Sequence, residues 1–88
     1  MPQEKLEIKN IKLNNKKIPM EFEISEGRDG GVAYVGKVLS TWNKKTPQGT
    51  EYVIWNIGSE DGINFNACNG SYVYSLERAV EVYNNRQY

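Results

Sequence analysis

The chain has 88 residues with eleven basic and eleven acidic side chains, no histidine and a single cysteine, Cys68. This length supports one hydrophobic core, so we expect a single domain over residues 1–88. A net charge of zero gives the whole molecule no bulk attraction for nucleic acid or an anionic membrane. The lack of histidine removes the commonest general base and metal ligand. These features predict a non-enzymatic protein without a cofactor or metal.

The sequence also bears on where the protein works. One cysteine cannot form an intrachain disulfide, which is typical of proteins from a reducing compartment. The chain has no run of 18 apolar residues, and its first residues, Met1–Lys5, lack the apolar core of a signal peptide. We therefore expect a cytoplasmic protein that has no membrane partner.

The N-terminal third predicts two strands. Apolar residues alternate over Leu6–Ile8 and resume out of phase at Ile11 and Leu13, which predicts a strand with a bulge near Asn10. The next strand, over residues 18–24, has the clearest signal, because apolar side chains alternate there with Pro19, Glu21 and Glu23. Proline cannot donate a ladder hydrogen bond, so this strand either begins at Pro19 or lies at a sheet edge.

The middle of the chain predicts a central strand and a hairpin. Val32–Trp42 is apolar on both faces, which favours a position inside the sheet. The polar stretch Asn43–Gly49 predicts a hairpin loop, and Thr50–Ile57 predicts the returning strand. Gly31–Lys37 matches the spacing of a phosphate-binding loop, but Val38 follows where that motif needs serine or threonine, so we interpret it as strand.

The C-terminal part predicts a half-exposed strand, a tight turn and a helix. The strand covers Ile63–Cys68, the Asn69-Gly70 pair predicts the turn, and Ser75 is a suitable helix N-cap. Four apolar residues at helical spacing form the expected core face: Leu76, Ala79, Val80 and Tyr83. The predicted fold is α+β, an antiparallel β-meander of four or five strands packed by one C-terminal helix, with the other sheet face partly open.

Aromatic and basic residues are concentrated on two of these strands and their joining loop. The candidate binding residues are Lys37, Trp42, Lys44, Lys45, Tyr52 and Trp55. Proteins that bind single-stranded nucleic acid combine aromatic stacking surfaces with cations that follow the backbone. A small sheet buries the same aromatic residues to form its core. The sequence leaves both interpretations open.

Five short segments of the C-terminal half carry a resemblance to a known class of proteins. They are Tyr52–Trp55, Ile63–Phe65, Gly70–Tyr72, Ser75–Ala79 and Tyr83–Arg86. Together they resemble the ends of small accessory proteins encoded by phages and mobile elements of Gram-positive bacteria. The resemblance implies a small, non-enzymatic protein that binds a host or element-encoded target, and it implies no particular site residue.

Three functions remain as hypotheses. The leading one is a protein-binding module that inhibits or modulates a host defence or replication protein, since exposed strand edges can pair with another chain. The second is binding of single-stranded DNA or RNA by the aromatic and basic hairpin. The third is sequestration of a small ligand such as a nucleotide between subunits of a homo-oligomer, because a chain this small offers little pocket volume.

Overall fold

Five strands and one helix make up the fold in the computed structural model, which describes residues 10–14, 17–27, 33–47 and 49–87, with the backbone alone for 42–46. The elements are β1 (Lys12–Leu13), β2 (Ile18–Glu26), β3 (Tyr34–Thr46), β4 (Gly49–Ser59), β5 (Asn64–Val73) and α1 (Leu76–Asn85). In the sheet they lie in the order β1-β5-β4-β3-β2. The predicted α+β class and the succession of five strands and a helix are confirmed.

The sheet is mixed, so the prediction of a purely antiparallel sheet was wrong. Strands β2 to β5 form the expected antiparallel meander. Strand β1 instead runs parallel to β5, with Lys12 opposite Asn64 and Leu13 opposite Phe65. The first part of the predicted N-terminal strand, residues 6–9, lies outside the described residues.

The connection between β1 and β2 requires the sheet to curl. These strands follow each other in the chain but lie at opposite edges of the sheet. Five flat strands would separate the two edges by about 19 Å, whereas the chain from Leu13 to Ile18 reaches at most about 18 Å. The sheet accordingly forms a half-barrel. The linking residue Lys17 is buried, and its ammonium lies 6.0 Å from the centroid of the Tyr72 ring.

The inner face of the half-barrel holds one hydrophobic core. Its buried residues are Ile11, Val38, Ile57 and Phe65. The half-buried side chains that surround them are Leu13, Phe22, Ile24, Tyr34, Trp55 and Ala67. The curl brings β1 and β2 around this face, but the sheet does not close, and the surrounding side chains remain partly exposed, as expected for a face that is partly open.

The outer face packs against the helix. Ala79 and Tyr83 of α1 form a second core with Leu39 of β3 and Ile54 of β4. Ten residues of helix are too few to persist alone in water, so this contact holds α1 in place. The predicted docking of the helix on one sheet face is confirmed.

The start of the helix is as predicted, but its buried face is rotated. The Ser75 hydroxyl accepts the Arg78 N–H at 3.4 Å and caps the first turn. Leu76 and Val80, which were predicted to be core residues, are 47% and 41% exposed. The helix has two apolar stripes. The stripe that contains Ala79, Val82 and Tyr83 packs on the sheet, and the stripe that contains Leu76 and Val80 is exposed.

Asn69-Gly70 forms a bulge within β5 and not the predicted tight turn. Both residues stand opposite the single residue Trp55, since the pairs on either side are Ile54 with Ser71 and Asn56 with Cys68. Two residues against one define a β-bulge, and Asn69 supplies its left-handed residue with φ of 56°. Gly70 leaves room for the indole, because a Cβ there would lie 2.6 Å from the ring of Trp55.

The β3–β4 hairpin is longer than predicted. Most of the expected loop, Asn43–Gly49, is strand, and Thr46 pairs with Gly49 next to the turn. Strand β3 lies between β2 and β4, which confirms its predicted central position. The pairs of β3 with β2 end at Thr41, and those of β4 with β5 end at Tyr52. The tip of the hairpin therefore extends past the neighbouring strands.

Candidate functional site

Lys37 caps the end of the helix from the sheet below. Its side chain is 6% exposed, and Nζ donates to the carbonyl oxygens of Tyr83 at 2.7 Å and Arg86 at 3.2 Å. The ammonium also lies 4.5 Å from the centroid of the Tyr83 ring and 3.9 Å from the Glu23 carboxylate. A cation is favourable at the negative end of a helix. The prediction that Lys37 belongs to a binding surface is therefore corrected, because its ammonium is buried and bonded to the end of the helix.

Arg86 holds the same end of the helix to the sheet. Its guanidinium donates to Asn56 Oδ1 at 3.0 Å, to the Asn69 carbonyl at 2.6 Å and to the Ser71 hydroxyl. The partners lie on β4 and on the bulged part of β5. Lys37 and Arg86 therefore fix the helix end from two directions.

The two described aromatic candidates point to opposite faces of the sheet. Tyr52 packs against the helix-side core, and Trp55 packs against the inner core, as expected for strand residues three apart. The Trp55 ring makes an edge-to-face contact with Tyr72 at a centroid distance of 5.9 Å. With Lys37 buried, these residues do not form a common stacking surface. The side chains of Trp42, Lys44 and Lys45 lie outside the described part, so their role stays a prediction.

Asp61 organises the turn before β5. Its carboxylate accepts the N–H groups of Ile63 at 2.8 Å and Asn64 at 2.9 Å, the Asn64 side-chain amide at 2.9 Å and the Ser59 hydroxyl at 2.9 Å. These bonds, first of all that from Ile63, hold the pKa of Asp61 well below its usual range. All of its partners belong to its own turn. In the described ranges, no group of three or more His, Cys, Asp or Glu side chains could hold a metal.

The Asp61 turn predicts a pH-dependent contribution to stability. Because the folded pKa is depressed, the contribution is fully present above the unfolded pKa of about 4 and is lost progressively as the pH falls toward the folded value. Asp61→Ala is therefore expected to destabilise the protein more at pH 6 than at pH 2, as measured by urea unfolding. Glu60→Ala in the same turn is the matched control. A destabilisation by Asp61→Ala that is equal at both pH values would contradict this explanation.

An open groove of about 390 Å³ runs beside the helix and is lined by Arg78, Val82, Asn85 and Arg86. The Arg78 guanidinium is paired with Glu81, and that of Arg86 is bound to the sheet. The lining contains no aromatic side chain, although stacking on aromatic residues was the expected basis of a nucleotide site. Ligand binding between subunits stays a prediction.

Strand β2 is the edge strand of the described sheet on the side opposite β1. It pairs with β3 on one side, and no described strand pairs with its other side. The Glu23 carbonyl faces β3, because a Cβ on Gly36 would lie 2.0 Å from its oxygen. The backbone groups of successive strand residues point to alternate sides. The N–H and C=O groups of Phe22 and Ile24 therefore point outward, away from β3.

The side chains of β2 give this edge a distinct character. Glu21, Glu23 and Glu26 are exposed, and β2 contains no basic residue. Of these carboxylates, only that of Glu23 forms an ion pair with a described residue. Ile18 and Met20, at the start of the strand, are 49% and 43% exposed. The edge is thus acidic along its length and apolar at its beginning.

The position of β2 at the edge of the sheet confirms the prediction made from Pro19. This proline removes an N–H only near the start of the strand. The register with β3 shifts between Pro19 and Glu21. From Glu21, opposite Leu39, to Glu26, opposite Tyr34, the pairing is unbroken. This regular stretch leaves a continuous row of outward backbone groups with which another strand can pair. We call residues 21–26 the β2 edge.

Comparisons of the chain with protein-family models, curated proteins and solved structures find no match. No helix among the described residues is long and apolar enough to cross a membrane.

Proposed function

We propose that this chain is a non-enzymatic protein-binding module that binds its partner through the β2 edge. The observation that carries the proposal is that residues 21–26 pair regularly with β3, while no described strand pairs with their outer side. Unpaired strand edges are templates for an incoming strand. In such complexes, main-chain hydrogen bonds supply affinity and alternating side chains supply specificity.

A second exposed surface lies on the helix side. Tyr74, Leu76 and Val80 are each more than 40% exposed and follow one another along the start of α1. This stripe offers apolar area without outward backbone groups or a defined charge. The β2 edge offers backbone groups, apolar side chains and carboxylates together, and for that reason we place binding there.

The partner class follows from the resemblance to accessory proteins of Gram-positive phages and mobile elements. The resemblance implies a host or element-encoded target, so a host defence or replication protein is the first partner to test. In this proposal the chain inhibits or modulates its target by occupying an extended segment of it.

Affinity capture with matched edge variants tests the proposal. Glu26→Pro removes an outward N–H from the edge, whereas Glu26→Ala removes the same carboxylate and keeps the N–H. From lysates of Gram-positive bacteria, wild type and Glu26→Ala are expected to retain a stoichiometric partner that Glu26→Pro loses. Quantitative mass spectrometry measures the retained amounts.

Two results would contradict the proposal. Absence of a stoichiometric partner from every lysate would contradict protein binding itself. A partner retained equally by Glu26→Pro and Glu26→Ala, but lost from a Leu76→Ser/Val80→Ser variant, would place binding on the helix stripe.

A further inference from the structure

We infer that the β2 edge takes an extended segment in which basic and apolar residues alternate; this inference rests on the proposed function of that edge. A strand added outside β2 continues both faces of the half-barrel. The side chains that β2 already presents on each face therefore define what the new strand must carry.

The inner face of the edge calls for apolar residues. Phe22 and Ile24 point to this face, are half-buried and pack against the inner core. Their ladder partners on β3 are Val38 and Gly36. Side chains directly across a strand pair interact with one another. Apolar residues opposite Phe22 and Ile24 would extend the inner core by one strand.

The outer face of the edge calls for basic residues. Glu21 and Glu23 point to this face, and the Glu23 side chain is 57% exposed. Lys37 is the only cation that forms an ion pair with either carboxylate among the described residues, and it is held beneath the helix. Opposite charges across a strand pair are favourable. Lysine or arginine opposite Glu21 and Glu23 would supply the missing charge.

The same carboxylates disfavour a second copy of this chain as the occupant. Two β2 edges in contact would bring Glu21, Glu23 and Glu26 of one copy close to those of the other. Like charges across a strand pair are destabilising, and charged residues are a common means of preventing edge-to-edge association. A basic segment of a different protein does not meet this repulsion.

Defined peptides test the inference on the full chain. The probe is a fluorescein-labelled eight-residue peptide that alternates lysine and valine, followed by fluorescence polarisation. The first control peptide contains the same residues as one block of lysine and one block of valine. The second control peptide alternates glutamate and valine. We expect the alternating lysine–valine peptide to bind at least tenfold more tightly than either control. Methylating the backbone nitrogens of the peptide that face β2 is expected to abolish binding, because those N–H groups join the ladder.

Protein variants locate the site. Glu21→Lys/Glu23→Gln is expected to weaken binding of the lysine–valine peptide at least tenfold, without placing a new cation beside Lys37. The matched control, Glu77→Lys/Glu81→Gln, makes the same charge change on the exposed side of the helix and is expected to leave affinity within twofold. Circular dichroism shows that each variant is folded.

The outcomes separate this inference from the proposed function. Equal affinity for the alternating and block peptides, or equal weakening by the two variants, would overturn the inference in favour of general charge attraction. If no peptide binds, but wild type captures a lysate partner that Glu26→Pro loses, the inference is overturned and the proposed function stands. Peptide binding with the expected selectivity supports the inference even where lysate capture fails, and that failure counts against the function alone.

Discussion

Gly36→Ala is expected to lower the free energy of unfolding by about 2 to 3 kcal/mol, the upper part of the range for overpacking in a closely packed interior. An added Cβ would lie 2.0 Å from the Glu23 carbonyl oxygen and 3.0 Å from the Ile24 Cα. Both atoms belong to the backbone of β2, so no side-chain rotation relieves the contact. Alanine at an unconstrained strand glycine would instead stabilise the protein by reducing the entropy of the unfolded chain. Urea unfolding measures the difference.

Ser25→Ala is the control for Gly36→Ala. Ser25 lies in β2 opposite Val35, one pair from Gly36, and its replacement is expected to change stability by less than about 0.5 kcal/mol. If Gly36→Ala were as stable as wild type, the close approach of β2 to β3 would be wrong. The outward direction of the Phe22 and Ile24 backbone groups would then lose its basis.

Lys37→Ala is expected to cost about 3 kcal/mol of stability. The substitution removes two hydrogen bonds from a charged donor, to Tyr83 and Arg86, and bonds of this kind contribute about 1.5 to 3 kcal/mol each. Part of this loss is offset, because the folded protein no longer keeps an ammonium away from water. Thermal and urea unfolding measure the effect.

Two further variants give the Lys37 result its meaning. Lys12→Ala removes an exposed lysine from β1 and is expected to change stability by less than about 0.5 kcal/mol. Lys37→Met keeps most of the side-chain volume and is expected to lie between wild type and Lys37→Ala. A fully stable Lys37→Ala would show that the lysine does not cap the helix and would return it to the predicted binding surface.

The elements of the fold could be predicted because their signals are local. Alternation in residues 18–24 is set by the period of a strand, and a serine cap precedes a helix for reasons contained in one turn. Pro19 marked the edge strand for an equally local reason, since it lacks an N–H. These predictions required no knowledge of which strands become neighbours.

Pairing between distant segments was beyond these signals. Lys12 and Leu13 read as strand in the sequence, but their parallel pairing with β5 depends on the curl of the whole sheet. The Asn69-Gly70 pair can form either a hairpin turn or a bulge, and the indole of Trp55 over Gly70 belongs with the bulge. Helical spacing likewise could not choose between the two apolar stripes of α1.

The predicted binding residues lay on the β3–β4 hairpin, although some features of the β2 edge could be predicted. Exposed strand edges and the acidic alternation of β2 were visible in the sequence, whereas the free side of the strand required the sheet order. Lys37 was predicted as a binding cation because it lies among the aromatic and basic residues of the β3–β4 hairpin. Its burial depends on where the end of the helix lies, 46 residues further along the chain. The sequence signal that could have predicted this burial is the position of Lys37 within a stretch that is apolar on both faces.

Amide hydrogen exchange of β2, with and without the alternating lysine–valine peptide, tests the central claim most directly. In the free protein, the Phe22 and Ile24 amides point outward and are expected to exchange fast, while the Glu23 and Ser25 amides are protected by β3. With the peptide bound, the Phe22 and Ile24 amides are expected to become at least tenfold slower, and the amides of α1 to stay unchanged. Outward amides that exchange equally fast with and without bound peptide would contradict strand addition at the β2 edge.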